Sequence, residues 1–185
     1  PALGYIPPFA PATAPPATDI KPRPGVSALR PGASLYPCPG YGGIDRTNPA
    51  PAVSAGIYAW GPFPPVQVGD GFGNVNWKLN PYQNASWYMY FHSLRWLGQA
   101  INAGAAGDLA ALDSVRAVAK DWIADNPYPW TSDIGAYEST MHRTNVLLCL
   151  RQAIVATAPD GLLPVGDAWL DTALLTHAAF MTNYW

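Results

Sequence analysis

Charge is what this chain has least of. Ten Lys or Arg and twelve Asp or Glu make up 12% of 185 residues, about half the usual share of a globular protein. The basic residues are scattered singly and the net charge is −2. With no Lys/Arg run, a nucleic-acid partner is excluded. Long apolar runs are missing as well. His, Arg, Asp or Asn interrupts each helical pattern before the roughly 18–20 residues that a membrane span needs. Two cysteines, Cys38 in Tyr36-Pro37-Cys38-Pro39-Gly40 and Cys149 in an apolar run, have no CxxC partner, which excludes a cysteine metal site. Two free thiols, with Cys149 a small core hydrophobe, are expected; a disulfide joining them is the alternative. Walker, HExxH, GxSxG and glycine-fingerprint signatures are all absent, and no cofactor or metal is expected. The first residue is Pro1, with no basic and apolar leader pattern behind it. A signal peptide, had there been one, has been removed or lies outside this sequence.

Aromatics and proline fill the gap. Eight Trp and ten Tyr argue against a disordered chain. They favour heavy burial or aromatic surfaces for flat polar ligands such as sugars. Sixteen of the 21 prolines fall within the first 65 residues. Proline fixes φ and removes a donor, so this stretch is neither helix interior nor central strand. Residues 1–66 therefore read as a Pro-rich extended arm. Its Tyr5, Ile6, Phe9, Tyr36, Tyr41, Tyr58, Trp60 and Phe63 gain by leaving water, and they are expected to pack it on the helices.

Residues 67–185 read as helical hairpins. After an approach segment, Asn84 is the expected cap of a first helix that runs to about Ala103 and stops at Gly104. Trp87, Tyr90, Phe91, Leu94, Leu97 and Ile101 form its core face, and Tyr88, His92, Arg95 and Gln99 a polar-aromatic stripe. A second helix follows over about 109–124, capped by Asp108 and stopped by Pro127 and Pro129. Its buried face is Leu109, Leu112, Val115, Val118, Ala119, Trp122 and Ile123. The third covers about 137–156 (core Met141, Leu147, Leu148, Leu150, Ile154). The fourth covers about 165–184 (core Trp169, Leu170, Leu174, Phe180, Met181). Two hairpins in series predict a mainly α chain forming part of an (α/α) toroid, with a closed four-helix bundle as the alternative. The helical block runs to the last residue, which reads as the front part of a larger catalytic unit.

The candidate chemistry lies with three histidines. His142 stands four residues after Glu138, one before Arg143 and three before Asn145. A carboxylate one turn away can hold an imidazole's tautomer and raise its basicity. That makes His142 the candidate catalytic residue, with a salt-bridged helix start as its plain competitor. His92 lies on the polar stripe near Arg95, and His177 sits mid-helix, where a hydrogen-bonded structural role competes. Trp130, on the Pro-stiffened loop 126–131, is either a sugar platform or a plug between hairpins, and Trp77 and Tyr88 carry the same ambiguity. Arg95 and Arg143 can grip a uronate carboxylate in bidentate fashion, or pair with a local acid.

Several segments resemble one family. Asn80-Pro81-Tyr82-Gln83-Asn84-Ala85-Ser86-Trp87, leading into Phe91-His92-Ser93-Leu94-Arg95-Trp96-Leu97, is similar to the first toroid helix of heparinase II/III-like enzymes and related alginate lyases. The resemblance continues through Asp121-Trp122-Ile123 with Asn126-Pro127, then Met141-His142-Arg143-Thr144-Asn145-Val146-Leu147-Leu148, then His177-Ala178-Ala179-Phe180. It spans about residues 76–185 and leaves the arm unexplained. It implies an (α/α) toroid followed by a β-sandwich, and β-elimination on uronic-acid polysaccharides. There an Asn-His pair neutralises the uronate carboxylate and a Tyr or His removes the C5 proton. The resemblance places the Asn-His pair just after the fourth helix, beyond Trp185. It carries over only the substrate-wall positions His92, Arg95, His142 and Arg143, with Trp130. Glu138 and Asn145 join them from the residue cluster alone.

The leading expectation is thus a segment of a polysaccharide lyase-like protein that binds an acidic polysaccharide. The rest of the same enzyme, or a second chain, completes the toroid, and a secreted or cell-surface location follows from extracellular substrates. A non-catalytic carbohydrate-binding or surface-assembly protein is the second reading. A glycoside hydrolase on an α/α scaffold is the third. It needs two acids flanking a cleft, whereas Asp108, Asp121, Asp125 and Asp171 read as caps and surface positions.

Overall fold

The computed structural model describes residues 47–183. Most of the expected arm, including Cys38, lies outside that range. The described chain is mainly helical. Its elements are α1 (Ala50–Ser54), a short antiparallel pair β1 (Ile57–Tyr58) and β2 (Val66–Gln67), then α2 (Ala85–His92), α3 (Gly98–Ala105), α4 (Leu109–Asp125), α5 (Tyr137–Thr157) and α6 (Ala168–Thr182). Single 3₁₀ turns precede α3 at Arg95–Leu97 and α6 at Val165–Asp167. No helix among the described residues is long and apolar enough to cross a membrane.

Two caps fall where the sequence puts them. The Asn84 side chain accepts from Trp87 N at 2.8 Å, and Asp108 accepts from Ala111 N at 3.0 Å. Each satisfies a first-turn donor that has no partner inside its helix. The predicted continuous helix from Asn84 to Ala103, however, is broken. Ser93 Oγ donates to the Tyr90 carbonyl at 2.6 Å and accepts from Arg95 N at 3.3 Å. Leu94 then turns left-handed at φ 58°, and its side chain is fully buried. The apolar contact that holds Leu94 there offsets a backbone cost of about 1–2 kcal/mol. Gly104 is not the stop either. It lies inside α3, where a Cβ would stand 2.8 Å from Leu112 Cβ, so its bareness lets α3 and α4 approach. The positive φ falls on Gly107, at 107°.

The fold is anchored by aromatics. Tyr58, Trp87, Phe91 and Trp96 are fully buried together, with Tyr58 centred 4.9 Å from Trp87 and 5.1 Å from Phe91. From α4, Asp121 accepts from Asn74 N and Val75 N, both at 3.2 Å, and from Trp77 Nε1 at 2.8 Å. One carboxylate thereby fastens the loop before α2 to the middle of the chain. Helices α5 and α6 are antiparallel, since Arg143 meets His177 while Arg151 meets Asp171. Several expected core residues are outliers. Leu109 and Leu148 are exposed, Tyr90, Ile123 and Met141 are only partly buried, and in α6 only Leu170 of the predicted set is buried. Cys149 is disulfide-bonded rather than a free thiol; the sequence has one other cysteine, Cys38.

Candidate functional site

The predicted site residues divide into an inner group and an outer one. Arg143 is completely buried at the centre of the inner group. Its Nε donates to His177 Nε2 at 2.8 Å, and Nη1 donates to the His92 carbonyl at 2.8 Å and to the Ile134 carbonyl and Ser139 Oγ at 3.2 Å. Nη2 donates to Thr140 Oγ1 at 3.3 Å. The guanidinium carbon lies 3.8 Å from the ring centroid of Trp122 and 4.7 Å from that of Trp130. No carboxylate ion-pairs with it among the described residues. Carbonyls, hydroxyls, an imidazole and two π-faces make up its shell instead, which suits a planar, weakly hydrated cation.

Those contacts also fix the tautomers of both inner histidines. His177 Nε2 accepts, so its proton sits on Nδ1, which donates to the Ala173 carbonyl at 2.7 Å. His92 Nδ1 accepts from Trp122 Nε1 at 3.1 Å, so its proton sits on Nε2, which donates to the Trp77 carbonyl at 2.9 Å. Both rings are neutral. Burial, with the Arg143 charge adding to it, pulls His92 down to about 4 and His177 to about 3. Burial also lowers Arg143. His92 and Arg143 therefore form no open wall. They join α2, α5 and α6 from within.

Trp130 is half-buried against α6. Its ring lies 4.6 Å from His177 and 5.4 Å from Phe180, and its Nε1 donates to the Asn126 carbonyl at 3.0 Å. Trp77 is buried, and the Tyr88 hydroxyl donates to the Trp77 carbonyl at 3.1 Å.

The outer group sits where the C-terminal end of α2 meets the start of α5. Glu138, His142 and Asn145 follow helical spacing along one stripe of α5, none of them buried. His142 Nε2 is 3.6 Å from Glu138 Oε1. The Tyr90 hydroxyl donates to the same oxygen at 3.1 Å, and its ring stacks on the His142 ring at 6.3 Å. The Arg95 guanidinium lies 5.9 Å from the centre of the Tyr90 ring. Burial, then the neighbouring Arg95 charge, lowers the His142 pKa, with Glu138 acting in the opposite direction. Burial and the Glu138 hydrogen bond raise Tyr90. Both shifts favour the neutral forms at neutral pH, which leaves the imidazole a weaker base and the phenol a weaker acid than usual. Beyond Tyr90, aromatic rings continue through Trp60 (5.2 Å), Phe63 (6.0 Å) and Tyr82 (4.6 Å), all partly exposed.

No protein family, curated protein or solved structure matches this chain.

Tyr90 is the member that sequence reading misplaced, as a core residue of the first helix. Its partner Glu138 is 48 residues away, so no local period links them. One signal was present. A tyrosine carries a hydroxyl that needs a partner when half-buried, which already sets it apart from Phe91.

Proposed function

We propose that the chain is part of a polysaccharide lyase-like protein acting on uronic-acid glycans by β-elimination, with α2–α6 forming part of an (α/α) toroid. The observation that carries this reading is the outer group, in which Tyr90, Arg95, Glu138 and His142 meet at the surface beside a row of partly exposed rings. Arg95 brings positive charge to a site that takes a carboxylate-bearing sugar. His142 is the candidate proton acceptor and Tyr90 the candidate donor. In the elimination, the C5–H proton passes to the base, its electron pair forms the C4=C5 double bond, and the C4–O bond breaks. The departing oxygen is then protonated. Tight positioning and charge neutralisation supply most of the barrier reduction in such a step. Extracellular polyuronates as substrates, together with the disulfide at Cys149, fit a secreted or cell-surface location.

The inner group supports the outer one. Arg143 holds Ser139 and Thr140 on α5 directly behind Glu138 and His142, so truncating it displaces the site without any contact to substrate. A non-catalytic glycan-binding protein is the second reading, favoured by the aromatic row. A glycoside hydrolase lacks support, since Asp108 caps α4, Asp121 holds the loop before α2 and Asp171 pairs with Arg151. The test is the absorbance of unsaturated uronate near 235 nm, with polyuronate and the protein as isolated from its source, wild type against His142→Gln. A fall in kcat of a hundredfold or more assigns the base. A rise in KM alone assigns binding, and saturable binding without any product in the wild type favours the second reading.

A further inference from the structure

Away from both groups, a cleft of about 300 Å³ opens between α4 and the corner that starts α6. Asp113, Arg116 and Lys120 line it from α4, and Gly166, Asp167 and Trp169 from the corner. Arg116 is locked in place. Its Nε and Nη2 hold the two oxygens of the buried Asp167 carboxylate at 3.2 and 2.5 Å, and its Nη1 holds Asp113 at 3.1 Å. Lys120 is exposed and makes no ion pair among the described residues. Two positive and two negative groups therefore balance around the cleft. Trp169 contributes a half-buried ring. Gly166 leaves room, since a Cβ there would meet nothing within 4 Å.

The geometry points to a second glycan subsite in this cleft, taking one pyranose unit with its ring on Trp169 and its hydroxyls on Arg116, Asp113 and Lys120. A small concavity with one aromatic face and a few fixed polar groups is the usual build of a small-ligand site. A rigid Arg–Asp pair costs little further ordering on binding. Because the charges cancel, the subsite reads the hydroxyl-bearing ring and not a carboxylate. It differs in this from the outer group, and it would hold a stretch of chain remote from that site. The inference rests on the proposed glycan reading only for its class of ligand.

The test follows the indole N–H resonance of Trp169 in the full chain during titration with a uronate trisaccharide and a neutral hexose trisaccharide. It should shift with both, with affinities within about threefold of each other. Gly166→Leu should weaken that response at least tenfold with an unchanged melting temperature, and Lys120→Ala, at an exposed position, at least threefold. His142→Gln should leave it alone. A Trp169 resonance that ignores both sugars, or one that responds in Gly166→Leu and Lys120→Ala as strongly as in the wild type, overturns the subsite. If Trp169 responds while the Tyr90 and His142 resonances do not, the proposed outer site fails and the cleft stands. The reverse pattern removes the cleft alone.

Discussion

Lowering the pH should unfold this protein through its two inner histidines. Both are neutral in the fold because every contact around them requires it: His177 Nε2 must accept from Arg143 and His92 Nδ1 from Trp122. Their folded pKa values, about 3 and about 4, lie below the ordinary value near 6.5. The unfolded chain therefore binds protons that the folded chain refuses. Stability from this source is complete above about pH 6.5 and is lost as the pH falls toward 4. Each histidine contributes a slope of about 1.4 kcal/mol per pH unit, roughly 2.7 for the pair. Between pH 6.5 and 4.5 the loss comes to roughly 5 kcal/mol, the lower end of what a whole domain has to lose. Half-buried His142 is shifted in the same direction. The assay is urea unfolding followed by tryptophan fluorescence at half-unit steps of pH. His177→Gln keeps an acceptor for Arg143 and cannot titrate, so the slope should fall to about 1.4 kcal/mol per unit. Stability that is flat from pH 6.5 to 4.5 would rule out two neutral buried rings, as would a slope that His177→Gln leaves unchanged.

Other outcomes follow from single contacts. Arg143→Ala should cost about 3–5 kcal/mol, since it strips several buried acceptors of their donor at once; a loss below 1 kcal/mol in chemical denaturation would contradict the role given to it. Asp121→Ala leaves Asn74 N, Val75 N and the Trp77 indole without their acceptor. It should destabilise by about 1–3 kcal/mol and speed amide exchange over residues 74–77. Gly104→Val should lower the melting temperature by forcing α3 away from Leu112. Tyr90→Phe removes one hydrogen bond to Glu138 and should reduce polyuronate turnover while changing stability by under about 1 kcal/mol.

Sequence alone gives the helix from Leu109, where cap, apolar period and proline stops agree, and the one from Tyr137, where the apolar period carries it with no side-chain cap. It misses the break at Leu94. A run of good apolar spacing hides a left-handed residue whose only reason is tertiary burial. The polar stripe of Tyr88, His92 and Arg95 is real as a pattern, yet spacing cannot say which side it faces. The interior here supplies carbonyls, an indole N–H and ring faces, so His92 and Arg143 are satisfied inside, and only Arg95 and the Glu138–His142–Asn145 stripe are left toward solvent. The join between Tyr90 and Glu138 was never legible, for it depends on how the chain after Leu94 turns α2 toward α5.

The proposed function stands or falls on whether the outer group grips a carboxylate-bearing sugar. Calorimetric titration of the protein with a uronate hexamer, beside a neutral hexamer of equal length, tests it most directly when repeated with the double variant Tyr90→Phe/His142→Gln. The uronate should bind more tightly than the neutral sugar, and the double change should weaken it at least tenfold with folding intact. Equal affinity for both sugars, or a uronate affinity that survives the double change, would contradict it.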